Sequence, residues 1–394
     1  MDLTLLLLAL LAVIAPVLAR LLGRWVRIPI VVFELALGIL VGPAVLGWAH
    51  DSAAAHTLAQ FGLAMLFFVA GTEIELAALR GRTGRGAILG WLISIVAGVA
   101  IGFVVAPGEA AVIIGVALAS TALGTLLPIL RDAGELRTPF GQSVSALGAV
   151  GEFGPLVAIS IFLGGRQPGA ATGVLALFAL IAAGAILFAL RVPRGALHRA
   201  VGRTLHTSGQ FAIRVVFLVL AGLVTLSIAL GIDMLLGAFA AGLVWRLLIR
   251  DAAEEDRAAV ESKIEAVAFG FVVPVFFIYT GITFDLASLL ADPVLLLLVP
   301  AALALLLLVR GVPSLLAAPK GARGRERAAI ALMGATGLPI IVAATSEGVS
   351  QHIIPSWAAA VLVAGGMLSV LLFPLIAMAL RGERAPATTG GEQA

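Results

Sequence analysis

Apolar runs of about twenty residues follow one another almost from end to end of this chain, and each is long enough to cross a hydrocarbon core of roughly 30 Å as a helix. Inside a bilayer every backbone N–H and C=O must find its partner within the protein, so a chain with this pattern folds as a bundle of helices. Thirteen such runs are read between residues 3 and 380, which predicts an all-α polytopic membrane protein with thirteen transmembrane helices. Composition agrees: 61% of the 394 residues are hydrophobic and 12% charged, about half the charged share of a soluble domain. That balance excludes a soluble enzyme and a disordered chain, and the absence of cysteine removes thiol chemistry, disulfide scaffolds and cysteine-ligated zinc. The first run lacks a basic leader and a small-residue cleavage site, so it is read as a retained helix.

The basic residues mark topology rather than an acidic partner. Twenty-two of the 25 Lys and Arg fall in alternate loops, among them Arg20, Arg24 and Arg27, then Arg80, Arg82 and Arg85, and later Lys320, Arg323, Arg325 and Arg327. The opposite loops hold Arg166, while Arg214 and Arg310 lie inside the runs. By the positive-inside rule the N-terminus is outside, the C-terminus is cytoplasmic and the number of spans is odd. The expected environment is a lipid bilayer, with no nucleic-acid partner.

Two fragments repeat at nearly one spacing. LFFVAGTEIEL (66–76) resembles VFFIYTGITFDL (275–286), and Thr125-x-x-Pro128 in the fifth run matches Thr336-x-x-Pro339 in the twelfth. An odd number of spans separates the partners, so the repeat is inverted, an arrangement common in secondary transporters. It divides the chain into a first half at 1–166, a linker helix and loop at 167–210, a second half at 211–380 and a tail at 381–394 predicted to be disordered. Inverted repeats carry paired broken helices near the membrane midplane, and Thr125, Pro128, Thr336, Gly337 and Pro339 are the expected break positions. A proline there removes one backbone hydrogen bond and blocks another, which is tolerable where the freed groups face protein, water or an ion.

Acids inside the runs carry the chemistry, because a lone charge at a helix centre costs roughly 2.5–3.5 kcal/mol on an insertion scale. Glu152 sits at the centre of the sixth run in AVGEFGPLVAIS, flanked by Gly151, Gly154 and Pro155, which let another backbone approach. Such a carboxyl group can exchange a proton for a metal ion; the plainer reading is a protonated acid bonding a kinked helix. Ser120 and Thr121, at the middle of the fifth run, offer hydroxyl oxygens suited to a hard monovalent cation, or serve only as interhelical hydrogen bonds. Arg310 lies about 5–9 Å from the midplane of the eleventh run by the helical rise. It either snorkels to the interface or is the internal cation that pairs Glu152 when the site is empty. Glu34, Glu73 and Glu347 are secondary candidates: Glu34 either lines a gap between helices or makes a structural hydrogen bond, and the last two are read as solvated or funnel-lining acids near span ends.

Enzyme signatures do not occur: there is no HExxH, no intramembrane Gly-x-Ser-x-Gly elbow and no P-loop, and no stretch between the runs is long enough for a nucleotide domain. No cofactor is expected.

The segments IPIVVFELALGILVGPAVLG (28–47), LFFVAGTEIEL, ALASTALGTLLPILRDAGELRTPFGQ (117–142), LGAFAAGLV (236–244) and PVFFIYTGITFDL (274–286) occur in the right order. Together they resemble the monovalent cation:proton antiporter superfamily, in the branch of Kef-type potassium efflux systems and sodium/proton antiporters. The resemblance implies thirteen helices, an inverted repeat with two crossed discontinuous helices, alternating access and usually a homodimer. It carries the family's ion-binding carboxylate onto Glu152, its broken-helix hydroxyl onto Thr121 with Ser120 before it, and its basic partner onto Arg310. Here Gly151-Glu152 stands where the family commonly has Asn-Asp, Asp-Asp or Gln-Asp. One carboxylate at the centre favours electroneutral exchange of Na+ or K+ for a proton. The segment after Leu380 is too short for the nucleotide-binding regulatory domain of the Kef branch, so no such domain is expected within this chain. Two other readings remain open: a proton-coupled carrier of an organic solute, and a non-transporting sensor or scaffold subunit.

Overall fold

The structure, a computed structural model, describes residues 3–22, 29–74, 79, 81–162, 168–191, 210–250 and 252–381. Arg24, Arg27, Arg166 and most of the linker and tail lie outside the described residues. In chain order the first helices are α1 (Thr4–Leu22), α2 (Ile30–Val41), α3 (Ala53–Glu73), α4 (Gly81–Val105), α5 (Glu109–Leu118), α6 (Leu123–Asp132), α7 (Pro139–Phe162) and α8 (Pro168–Arg191). Next come α9 (Phe211–Ala229), α10 (Met234–Ile249), α11 (Glu254–Val267), α12 (Val273–Ile282), α13 (Leu286–Ala291), α14 (Pro293–Leu306), α15 (Gly324–Gly334), α16 (Pro339–Ser350) and α17 (Ser356–Arg381). The described residues form no strand, and ten helical stretches are long and apolar enough to cross a membrane, with three shorter apolar helices beside them.

Helix ends are closed by side chains where the chain turns. Ser52 caps α3, and Asp233, Asp285 and Asp292 accept backbone N–H bonds at the starts of α10, α13 and α14 at 2.7, 3.0 and 2.9 Å. Two helices widen into π turns: Ala268–Val272 runs into α12 ahead of Pro274, and Leu307–Gly311 follows α14 ahead of Pro313. A proline lacks an N–H and its ring presses on the carbonyl four residues back, and a wider turn absorbs that misfit. The second π turn holds Arg310, whose freed carbonyl takes the Ser314 hydroxyl at 2.7 Å.

The fifth and twelfth apolar runs are each split in two. Residues 119–122 part α5 from α6, and residues 335–338 part α15 from α16. These stretches are also the interior of the bundle: 83% of the apolar window within Glu109–Arg131 and 89% of that within Gly324–Ser350 is buried, against 17% for α1 and 22% for α4. Non-helical backbone therefore falls where protein surrounds it, as a bilayer requires.

Small residues let the helices around this core approach closely. Gly71 and Gly242 face each other across α3 and α10: a Cβ on Gly71 would lie 2.2 Å from the Phe239 carbonyl oxygen, and one on Gly242 2.0 Å from that of Phe68. Gly38 and Gly281 bring α2 and α12 together in the same way. At the end of α17, Arg381 bonds Glu135 at 2.7 Å and Glu326 at 3.1 Å and lies over the Phe140 ring, tying the last described helix to the α6–α7 turn and to α15.

Replacing Gly242 with valine forces α3 and α10 apart, at a cost on the order of 3 kcal/mol or more. The expected outcome is a fall of several degrees in the melting temperature of the detergent-solubilised protein, measured beside wild type by intrinsic fluorescence.

Candidate functional site

The two helix breaks satisfy each other. The Ala122 N–H donates to the Thr336 carbonyl at 2.8 Å, and the Thr121 hydroxyl donates to the Gly334 carbonyl at 2.6 Å. Gly337 allows the approach, since a Cβ there would stand 2.8 Å from Ser120 Oγ and 3.1 Å from its carbonyl oxygen. A third helix completes the seam: Ser369 on α17 accepts from the Gly337 N–H at 3.2 Å and donates to the Gly366 carbonyl at 2.7 Å. Ser369 had no signal in the sequence beyond being a hydroxyl within an apolar run.

Thr336, Gly337 and Pro339 stand at the second break, with Pro339 opening α16. Thr125 and Pro128 lie instead within α6, after the first break at 119–122. The first break thus precedes its Thr-x-x-Pro segment, whereas the second begins it. Pro128 is the sixth residue of α6, so the hydrogen bond it removes, to the Gly124 carbonyl, lies inside that helix and not at the break.

Glu152 lies on α7 with 3% of its surface exposed. Its carboxyl group meets the backbone amides of Leu123 and Gly124, the first residues of α6, whose N–H groups have no helical partner. Its Oε2 has no hydrogen bond.

Arg310 is wholly buried and does not snorkel. Its Nε donates to Thr121 Oγ1 at 2.8 Å and its Nη2 to the Leu147 carbonyl at 2.9 Å, while Nη1 has no partner. No hydrogen bond joins it to Glu152. The guanidinium occupies a notch that residue 151 leaves empty, because a Cβ on Gly151 would stand 2.5 Å from Thr121 Oγ1 and 2.9 Å from Arg310 Nη2. The Thr121 N–H also donates to the Gly151 carbonyl at 3.0 Å. Thr121 is therefore engaged on both sides of its hydroxyl, and Ser120 Oγ donates to Ala117 at 2.8 Å. In this arrangement both hydroxyls brace the first break.

Among the described residues, cavities reach into the bundle from both ends of α3 and beside Glu152. One of about 840 Å3 is lined by Glu152, Glu34 and Thr125. A second, of about 680 Å3, holds Glu73 among Arg131, Arg246, Arg257, Glu261 and Glu265, and the Glu73 Oε2 is buried without a partner. Glu73 thus lines a cavity, with one of its two oxygens shielded. The third, of about 470 Å3, lies toward the other end of α3 and holds half-buried Glu347, bonded to Gln351, with Asp233 and Asp285. Burial pushes the Asp233 carboxyl up to about 6, against the pull of the Leu235 N–H and with the help of nearby Glu347.

Residues 8–379 match the transmembrane sodium/hydrogen exchanger family. The chain belongs to that family. Within it, the chain is 24% identical over 375 residues to a putative Na+/H+ antiporter, YjbQ, of Bacillus subtilis, covering 88% of this chain and 58% of that protein. It is 30% identical over 268 residues to the Na+/H+-K+ antiporter GerN of Bacillus cereus, covering 65% of this chain and 66% of GerN. The chain thus spans less than two thirds of the length of each. Its fold matches that of the sodium proton antiporter MjNhaP1 of Methanocaldococcus jannaschii with a TM-score of 0.65 at 18% identity, over 95% of this chain and 96% of the other. This exchanger-family chain is accordingly a multi-pass membrane protein of the monovalent cation:proton antiporter superfamily.

Arg310→Lys removes the planar fork that spans Thr121 and Leu147, and Gly151→Ala fills its notch. Each lost hydrogen bond to a charged group costs about 1.5–3 kcal/mol, so both variants are expected to melt several degrees below wild type in a thermal unfolding measurement.

Proposed function

We propose that this chain exchanges a monovalent cation, Na+ or K+, for protons by alternating access, with Glu152 as the group that carries either ligand. The observation that supports it most is the buried Glu152 carboxyl, with an unpartnered oxygen, facing a cavity beside the first helix break. A proton or a cation neutralises that carboxylate, so the loaded site can cross the low-dielectric barrier while the empty, charged site resists crossing. One such carboxylate at the breaks favours one-for-one, electroneutral exchange. Oxygen ligands for a hard cation are at hand in the carbonyls of the breaks, and the α6 amides stabilise the ionised carboxylate between loads.

In this reading the halves at 1–166 and 211–380 are inverted repeats, thirteen helices span the membrane, and the two discontinuous helices cross at their breaks. The reciprocal bonding of residues 121–122 with 334 and 336 supports that crossing. Arg310 acts as a fixed cation that holds the first break and balances the charge of the empty site from the far side of Gly151. The relatives named above are antiporters of Na+, with K+ in the case of GerN, which supports the choice of ions. A homodimer in the bacterial plasma membrane, with the N-terminus outside and the C-terminus cytoplasmic, completes the proposal.

Proteoliposomes loaded with a pH dye test it, challenged in turn with Na+, K+, Li+ and choline. Wild type is expected to move protons in response to at least one metal cation and not to choline, and Glu152→Gln to abolish that response. Proton flux that survives Glu152→Gln assigns the exchange to another site; no cation response in folded wild type removes the antiporter reading.

A further inference from the structure

One cavity joins Glu34 on α2 to Glu152 on α7. Helices α1, α2, α3, α6, α7, α12, α16 and α17 build its wall, and among the described residues that line it Glu34, Thr125 and Glu152 are the polar ones. The rest are aliphatic, aromatic, proline or glycine, among them Leu66, Ile129, Phe269 and Phe277. Both acids are more than nine-tenths buried, Glu34 at 5% exposure and Glu152 at 3%. Among the described residues Glu34 has neither a hydrogen bond nor an ion pair, and Glu152 keeps one oxygen free. A carboxyl group that serves packing or a structural hydrogen bond would have a partner. One set in an apolar wall without a partner must be satisfied by what enters the cavity.

Depth orders the two acids. Glu34 is four residues into α2, about 6 Å along the axis, while Glu152 is thirteen residues into α7, about 20 Å along it. Ala19, Pro29 and Ala133, at the ends of α1, α2 and α6 that face those helix starts, line the same cavity. A ligand entering from that end meets Glu34 first. The two acids also belong to different helix groups: α2 packs on α1 and α12, and α7 on α4, α6 and α15.

We infer that Glu34 is a first binding site for the monovalent cation on its way to Glu152, with the Thr125 hydroxyl as a further oxygen ligand. The inference rests on the exchange reading and deepens it, adding a site for the same ion. The cation leaves Glu34 before the load crosses, so the stoichiometry set at Glu152 is unchanged. A carboxylate placed ahead of the exchange site raises the local cation concentration in a cavity that is otherwise apolar, and so lowers the cation concentration needed for transport.

Two measurements on the full chain test it. In proteoliposomes, Glu34→Gln is expected to raise the Na+ or K+ concentration giving half-maximal proton flux about tenfold, the equivalent of about 1.4 kcal/mol, and by more than it lowers maximal flux. Glu34→Asp is expected to restore most of the difference. In detergent, Na+ or K+ relative to choline is expected to raise the melting temperature of wild type, to raise it less in Glu152→Gln, and to leave the Glu34→Gln/Glu152→Gln double variant unchanged. An unshifted half-maximal concentration in Glu34→Gln, or no cation stabilisation in Glu152→Gln, overturns the inference while leaving exchange at Glu152 standing. Loss of flux in folded Glu34→Gln at every cation concentration also overturns it, since Glu34 is then part of the transport step itself. A wild type without cation-dependent flux fails at the earlier stage, the exchange reading.

Discussion

Backbone polar groups within a bilayer have no water to turn to, and the centre of this protein is organised around that constraint. Two helices stop halfway, at residues 119–122 and 335–338, and the groups they release are taken up by one another: the Ala122 N–H by Thr336, the Thr121 hydroxyl by Gly334, the Gly337 N–H by Ser369. The breaks are affordable because they lie in the most enclosed helices of the bundle. The Leu123 and Gly124 amides at the start of α6 have no helical partner, and the Glu152 carboxyl stands against them. The acid is therefore placed by the same interruption that frees the backbone.

Arg310 extends that dependence. A buried guanidinium is costly unless its donors are used, and here two of them tie Thr121 and Leu147 across the first break and α7. Its room comes from the missing side chain of Gly151, and its aim from the π turn that Pro313 induces. One glycine and one proline, neither of them polar, thus decide where the internal positive charge resides. That charge is held by the break and not by Glu152, which leaves the carboxylate free toward the cavity it shares with Glu34.

Much of this was legible in the residues. The apolar runs pointed to helices, ten of which are long and apolar enough to cross a membrane among the described residues, and Glu152 stood out because a charge at the middle of a run needs a reason. The Thr-x-x-Pro pattern pointed to both broken runs but located the break well only at Thr336: Pro339 takes the first position of α16, where its missing amide costs no bond, whereas Pro128 lies inside α6 beyond its break. Glu73 reads as a solvated or funnel-lining acid at the end of a run, and it lines a cavity whose other walls, α10 and α11, no local pattern assigns to it. Ser369 could not be distinguished from any other intramembrane hydroxyl.

By itself the sequence determined that the chain is a helical membrane protein, which runs are apolar enough to cross a bilayer, and that one acid sits at the centre of such a run. These follow from hydropathy, helical rise and the expense of charge in lipid, all of them local properties. Only the tertiary structure decided which groups meet: that the two breaks bond each other, that Arg310 fills the notch at Gly151, and that Glu34 and Glu152, far apart in the chain, line one cavity. Those pairings depend on how helices pack, and packing is set by glycine contacts such as Gly71 with Gly242 and Gly38 with Gly281, whose partners no local pattern specifies.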